Sequence, residues 1–250
     1  MADPTPSTEK SMGFLEHLDE LRSRLFRIAI VYLALMALCW FVSDRILEFL
    51  MRPIKQHMFA GGDIIFISLT EPFMVYMKAS AIGALFLAAP IILWQLWGFV
   101  APGLYRGERR AGVVFIVLGT AFFLAGGAFG YYVALPACAS WLLSLGGQFK
   151  AQLTLESAFE FENKMLLGAG AVFEMPVVIL ILARFGIITP GFLWRHFRIA
   201  IMVIAIVAAV VTPSGDALTM SIFAAPMIVL YLLGIAFAWL ASRNKPEKAR

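Results

Sequence analysis

Six long runs of apolar residues, almost free of charge, constrain this 250-residue chain more than any other feature. The runs cover residues 28–43, 79–101, 111–135, 165–183, 199–211 and 217–241. Because roughly 20 helical residues cross the hydrocarbon core of a bilayer, such runs predict transmembrane helices. Only 14% of the residues are charged, whereas an average soluble protein has about a quarter. A soluble enzyme or a free binding domain is therefore excluded.

The predicted spans cover approximately residues 26–43, 74–101, 111–135, 164–184, 197–211 and 217–241. The fifth run is too short to cross a bilayer unless tilt, local thinning or packing against the sixth compensates. Alternatively, the fifth and sixth runs form one re-entrant hairpin. We predict an all-α integral membrane protein with six transmembrane helices, of which spans five and six are short.

The distribution of Lys and Arg predicts how the spans are oriented. With a cytoplasmic N-terminus, the inside segments hold most of the 20 basic residues, and the positive-inside rule favours that arrangement. Both termini are then cytoplasmic: residues 1–25 form an amphipathic segment, 26–241 the six-span membrane domain and 242–250 a tail. The net charge of +4 does not indicate nucleic-acid binding, because in a membrane protein the position of the positive charges matters more than their sum. The two outer segments, 44–73 and 136–163, are too long for tight turns and are predicted to form a structured cap.

Two acidic residues stand out on the predicted inner side. Phe14, Leu18, Leu21 and Leu25 recur at helical spacing, which predicts an amphipathic helix whose polar face carries Glu20. Glu20 either serves a ligand or forms an ordinary pair with the arginine four residues later. In the first inner loop, Glu108 is the only carboxylate among basic residues. It has a binding role or simply balances the two arginines that follow.

Other polar residues lie within or near the spans. An ionisable side chain such as Glu174 costs about 2.5–3.5 kcal/mol at membrane depth on insertion scales, so it should face a protein or water-filled cavity. It either functions there or makes a structural hydrogen bond to a neighbouring helix. Asp216 is either a helix cap or a functional residue. Cys39 and Cys138 are predicted to be free thiols.

No sequence motif indicates a cofactor. The chain has no glycine-rich phosphate loop and no cluster of metal-ligand spacing. The three histidines, His17, His57 and His196, are scattered. We therefore predict no cofactor, no metal and no enzymatic activity.

Four motifs occur in a fixed order along the chain. They are the segments His17–Arg24, Trp97–Arg110, Phe173–Pro176 and Val211–Pro213. With them the chain resembles the C subunit of the twin-arginine protein translocase (TatC) over nearly its whole length. One departure is the segment 212–216, Thr-Pro-Ser-Gly-Asp, where many relatives have Thr-Pro-Pro-Asp, so that a role for Asp216 transfers less safely.

The resemblance implies a non-catalytic receptor of the bacterial cytoplasmic membrane, with a cupped arrangement of six helices. It implies binding of signal peptides with two consecutive arginines, carried by folded cargo proteins. It also implies assembly with single-span translocase subunits in the lipid bilayer and an oligomeric receptor complex. The resemblance assigns the family's signal-peptide role to Glu20 and Glu108. It assigns supporting contacts to Arg22, Phe99 and Tyr105. Pro53, in the first outer loop, matches a further family position.

The chemistry of the guanidinium group explains why carboxylates would serve this role. A guanidinium is a planar fork that a carboxylate accepts with two parallel hydrogen bonds. Glu20 and Glu108 belong to separate inner segments, so the two could clamp one arginine pair. Glu174 would be a polar anchor deeper in the membrane, for the peptide or for a partner helix.

Three other functions remain open from the sequence. A proton-coupled secondary transporter would use Glu174 as its proton site. An intramembrane enzyme would need a nucleophile beside a base, for which Ser214 and Asp216 are the nearest candidates. A structural scaffold would use the charges of Glu20 and Glu108 for assembly only.

Overall fold

The computed structural model describes residues 14–58, 63–100, 109–146, 149, 152–212 and 214–243. The helices are α1 (Phe14–Trp40), α2 (Ser43–His57), α3 (Glu71–Val100), α4 (Arg109–Phe129), α5 (Leu135–Leu145), α6 (Leu155–Phe173), α7 (Met175–Phe185), α8 (Pro190–Arg195), α9 (Phe197–Val211) and α10 (Ala217–Arg243). The strands are β1 (Asp63–Ile65) and β2 (Gln152–Thr154), and a π-helical turn (Gly130–Ala134) joins α4 to α5.

The described helices account for the predicted spans. Five segments are long and apolar enough to cross a membrane: Glu16–Trp40, Glu71–Phe99, Gly112–Leu145, Leu155–Phe185 and Ala217–Ser242. The sixth apolar segment is the shorter helix α9, whose bounds coincide with the predicted fifth span. The prediction that the sixth span is short is wrong, because α10 continues for 27 residues. The predicted inner helix and the first span are one continuous helix, α1.

Two of the long helices are interrupted where proline removes a backbone donor. Pro136 cannot donate to the carbonyl four residues earlier, and just before it the Leu135 N–H bonds to the Gly130 carbonyl, five residues back. This shift of the hydrogen-bond ladder forms the π-helical turn. Pro176 likewise follows the break between α6 and α7, which places Glu174 at the junction.

The two long segments predicted as an outer cap contain more helix than expected. Residues 43–57 form α2, whose apolar side chains Leu47, Leu50, Met51 and Ile54 are buried. Arg45, Glu48, Arg52 and Lys55 of the same helix are exposed. In the other segment, α5 continues to Leu145 and α6 begins at Leu155. The prediction of a structured cap did not specify these helices, which form because periodic apolar residues pack against the core.

The two segments nevertheless join, as predicted. Strand β1 pairs in parallel with β2, with Ile64 opposite Leu153. The Glu71 carboxylate accepts hydrogen bonds from the Ile67 N–H at 2.9 Å and from the Glu156 N–H at 2.8 Å. One side chain at the start of α3 thus holds its own loop and the first turn of α6.

Close helix packing in the core depends on glycine. A Cβ on Gly126 of α4 would lie 2.6 Å from the backbone oxygen of Ala169 in α6. A Cβ on Gly130 would lie 3.1 Å from the Met165 carbonyl oxygen. Small residues let membrane helices approach this closely, because packing replaces the hydrophobic drive available in water.

Candidate functional site

The first turns of α1 pack against the last turns of α3, and the predicted residue Glu20 lies in this contact. The ring of His17 stacks on that of Phe99, with centroids 4.3 Å apart and planes inclined by 14°. Two turns further along α1, Arg24 Nη1 donates to the Gln95 backbone oxygen at 3.5 Å and to Gln95 Oε1 at 3.4 Å. We refer to His17, Glu20, Arg24, Gln95 and Phe99 as the α1–α3 site.

The two oxygens of the Glu20 carboxylate differ. Oε1 accepts from Arg24 Nη2 at 2.6 Å and from Arg24 Nε at 3.0 Å. Oε2 is buried without a hydrogen-bond partner in the described part of the chain, and His17 Nδ1 lies 3.8 Å from it. The pairing of Glu20 with Arg24, one of the two predicted alternatives, is therefore present, and it leaves Oε2 without a hydrogen bond among the described residues.

The remaining residues predicted for peptide binding are distributed unevenly. Phe99 lies in the α1–α3 site. Arg22 is exposed, and its guanidinium lies 5.7 Å from the centre of the Phe26 ring. Tyr105 and Glu108 lie outside the described residues, so the expected convergence of Glu108 with Glu20 stays a prediction.

Glu174, at the junction of α6 and α7, is half-buried against neighbouring helices. A Cβ built on Gly119 of α4 would lie 3.4 Å from Glu174 Oε2 and 3.0 Å from Leu93 Cδ1 of α3. The carboxylate thus faces the place where α4 and α3 approach. Nearby in sequence on α4, the Thr120 hydroxyl is buried without a partner among the described residues. Glu174 therefore faces protein, as the sequence predicted, and its role stays a proposal.

Asp216 is the N-terminal cap of α10. Its carboxylate accepts from the Thr219 N–H at 3.0 Å, the Leu218 N–H at 3.2 Å and the Thr219 hydroxyl at 2.7 Å. Hydrogen bonds from the Ser214 hydroxyl and from Thr219 hold the pKa of Asp216 well below its usual range. Of the two predicted alternatives, the structure shows the cap.

Pro53 is buried inside α2, and its carbonyl oxygen lies 2.7 Å from His57 Nδ1. This contact ties the last turn of α2 to the proline. Its match to a family position remains a prediction, because nothing in the geometry assigns it a ligand.

The structure offers no arrangement for the enzymatic alternative within its described residues. Ser214 Oγ lies 2.8 Å from Thr219 Oγ1, in the cap of α10. His196 Nδ1 lies 2.8 Å from the Phe192 carbonyl oxygen in its own helical turn. Among the residues described, no three His, Cys, Asp or Glu side chains come together as a metal site.

Sequence reasoning missed Gln95, a member of the α1–α3 site, and the adjacent Gly98, whose lack of a side chain leaves room for Arg24. Gly98 lies inside the motif Trp97–Arg110, so the motif signalled the segment without revealing the contact. The register of α1 against α3 decides which residues meet, and no local pattern encodes that register.

The comparisons with known proteins agree with one another. A family model described as Sec-independent protein translocase protein (TatC) matches residues 16–226. A protein named Sec-independent protein translocase protein TatC from Koribacter versatilis is 39% identical over 244 residues, which cover 96% of this chain and 90% of that protein. The protein of the same name from Helicobacter pylori strain J99 is 38% identical over 223 residues, covering 89% of this chain and 87% of that one.

A solved structure, described as the crystal structure of the twin arginine translocase receptor TatC, has the same fold. It superposes with a TM-score of 0.79 at 31% sequence identity, covering 91% of this chain and 100% of that chain. This agreement confirms the predicted helical membrane fold and gives no support to the transporter alternative. The chain belongs to the TatC family, a multi-pass, non-enzymatic protein family of the bacterial inner membrane.

Proposed function

We propose that this protein is the receptor subunit of a twin-arginine translocase, which binds the signal peptides of folded cargo. The observation that carries the proposal is the buried Oε2 of Glu20, which has no hydrogen-bond partner in the described part of the chain. A buried acceptor without a partner costs free energy, and a ligand that donates a hydrogen bond recovers it. Arginine is the natural donor, because its charge and its N–H groups both match a carboxylate.

The observed geometry changes how Glu20 is expected to bind an arginine of the signal peptide. Because Arg24 occupies Oε1, a signal-peptide guanidinium meets one free oxygen at Glu20 and not two. Two parallel hydrogen bonds at this carboxylate would require Arg24 to move away. Desolvation of the incoming charge offsets much of the attraction, so a modest affinity follows.

The second arginine of the pair is assigned to Glu108, with Tyr105 and Arg22 in supporting positions. This assignment rests on the family motif between Trp97 and Arg110. The stacked pair of His17 and Phe99 borders Glu20 and offers an aromatic wall against which a flat guanidinium can lie.

Glu174 is proposed as the polar anchor for a transmembrane partner. It is half-buried between helices and lies well away in sequence from the α1–α3 site. A carboxyl group at membrane depth is more stable when a partner helix donates a hydrogen bond to it than when it contacts lipid. Single-span translocase subunits, assembled with this chain in an oligomeric receptor complex, are the proposed partners.

The experiment compares peptide binding by two matched variants of the full chain in lipid nanodiscs. Glu20→Gln removes the carboxylate, while Asp19→Asn removes the same charge from the neighbouring exposed residue. Because hydrogen bonds to charged groups contribute about 1.5–3 kcal/mol, Glu20→Gln should weaken binding of a twin-arginine peptide by at least about tenfold. Asp19→Asn should leave the dissociation constant unchanged.

A twin-lysine peptide serves as the ligand control and should bind the wild-type chain more weakly. Equal affinity of the wild type and Glu20→Gln for the twin-arginine peptide contradicts the proposed role of Glu20. Small-solute flux in proteoliposomes that is abolished by Glu174→Gln would instead support the transporter alternative.

A further inference from the structure

The α1–α3 site contains a glycine on which an arginine side chain rests. A Cβ built on Gly98 of α3 would overlap Arg24 Nη1 of α1, and would lie 2.7 Å from Arg24 Cζ. No side chain larger than hydrogen fits at position 98 while the guanidinium stays in place. Gly98 therefore leaves the space that Arg24 occupies, although the two residues belong to different helices.

The guanidinium of Arg24 joins both helices through its three nitrogens. Nε and Nη2 donate to Glu20 Oε1 on α1, and Nη1 donates to Gln95 on α3. The Arg24 and Glu20 side chains are only 22% and 23% exposed, so the pair is partly shielded from water. A carboxylate held in this way loses most of its rotational freedom before any ligand arrives.

We infer that Arg24, seated on Gly98, is a positioning residue for signal-peptide recognition: it saturates one oxygen of Glu20 and presents the other to a single guest guanidinium. The inference rests on the proposed function and deepens it. Preorganisation lowers the entropy lost when the peptide binds. It also limits Glu20 to one arginine of the pair, which leaves the second arginine for another acceptor.

Two effects of Arg24 oppose each other, and they predict opposite results. Its positive charge repels an incoming guanidinium, whereas its hydrogen bonds fix the carboxylate that the guanidinium needs. Displacing Arg24 tightens peptide binding if repulsion dominates and weakens binding if positioning dominates. Positioning should dominate, because the charge of Arg24 is already paired with Glu20 at 2.6 Å, which offsets much of its repulsion of a second guanidinium.

The test uses Gly98→Ala, which adds one methyl group and changes no charge. The atom that must yield is the end of a flexible side chain, so the fold should survive and the guanidinium should swing away. Twin-arginine peptide affinity should fall about fivefold or more. Gly191→Ala is the matched control, since a Cβ at that position meets no atom within 4 Å, and it should bind like the wild type.

A double-mutant cycle separates positioning from a general structural effect. In an Arg24→Gln background, Gly98→Ala should cause no further loss, because the group that it displaces is gone. Arg24→Gln alone should weaken peptide binding to the same extent as Gly98→Ala. If Gly98→Ala lowers the thermal stability, Arg24→Gln alone still tests the inference. Unchanged or tighter binding by Arg24→Gln, or an equal effect of Gly98→Ala in both backgrounds, overturns the inference.

The same assay distinguishes failure of this inference from failure of the proposed function. If Glu20→Gln binds the peptide as the wild type does, the proposed function of Glu20 fails. If Glu20→Gln weakens binding while Arg24→Gln does not, only the positioning role of Arg24 fails.

Discussion

At the scale of single residues, the surroundings of each carboxylate distinguish a structural acid from a binding one. Asp216 and Glu71 accept hydrogen bonds from backbone N–H groups at the start of a helix. Glu20 instead shares one oxygen with Arg24, while its other oxygen is buried with no hydrogen-bond partner among the residues that the structure describes. All three acidic residues lie near the start of a helix, and the sequence alone does not separate their roles. The difference depends on which backbone N–H groups the fold brings near.

Asp216 provides a pH-dependent prediction. Its pKa is lowered in the folded chain by hydrogen bonds from Ser214 and Thr219, so the ionised form stabilises the fold at pH values above the unfolded pKa of about 3.9. Asp216→Ala should lower the thermal unfolding temperature in detergent by a constant amount between pH 5 and 8. Below about pH 4 the difference from the wild type should shrink, as the carboxylate becomes protonated.

Asp216→Asn is the matched variant, because asparagine also caps helices well. It should retain most of the stability at pH 7 and show little of the acid dependence. A difference between the wild type and Asp216→Ala that grows as the pH falls from 5 to 3 would contradict this account.

At the scale of elements, the sequence predicted the spans better than their interruptions. Long uncharged apolar runs fold as helices in the membrane, so α3, α9 and α10 were predicted within a few residues of their observed bounds. Helix α2 was not predicted, because its charged residues and Pro53 are typical of a loop. The π-helical turn and the junction at Glu174 depend on how the freed carbonyls near Pro136 and Pro176 are accommodated, which only packing decides.

The glycine contact between α4 and α6 gives a prediction about one helix pair. Alanine favours helix over glycine by roughly 0.5–1 kcal/mol, but overpacking costs typically 1–3 kcal/mol. In Gly126→Ala the overlap is with the backbone oxygen of Ala169 at 2.6 Å, and rotation of a side chain cannot relieve it. The variant should therefore unfold at a lower temperature than the wild type, despite its higher helix propensity.

Gly191→Ala is again the control for this measurement, because its Cβ lies in open space. Its unfolding temperature should equal that of the wild type or exceed it slightly. If Gly126→Ala is as stable as Gly191→Ala, the approach of α4 to α6 does not depend on the glycine.

At the scale of the whole molecule, the membrane helices differ so much in length that the bilayer or the helices must adjust. The 15 residues of α9 extend about 22 Å, whereas the hydrocarbon core is about 30 Å thick. The 27 residues of α10 are long enough to cross with tilt. The mismatch is thus confined to α9, and we propose that the bilayer thins around it, which would lower the barrier to crossing there.

Depth measurements at the two ends of α9 test this proposal. The substitutions Arg198→Cys and Ser214→Cys are made one at a time, since both positions are exposed. Each introduced cysteine is labelled with a fluorophore, and the protein is placed in nanodiscs of 18-carbon lipids. Cys39 and Cys138 are buried at 4% and 0% exposure and should not react. With local thinning, nitroxides at the lipid headgroups quench both labels more strongly than nitroxides deep in the acyl chains.

Labels at Phe73→Cys and Leu96→Cys on α3 form the matched pair, since both side chains are exposed and 23 residues of helix separate them. This spacing of about 34 Å spans an undistorted core, so both α3 labels should report headgroup depth in any case. An Ser214 label quenched mainly by deep nitroxides would show that the chain after α9 stops within the hydrocarbon. That result would exclude thinning and would favour the re-entrant hairpin, in which α9 and the start of α10 turn back before reaching the far surface.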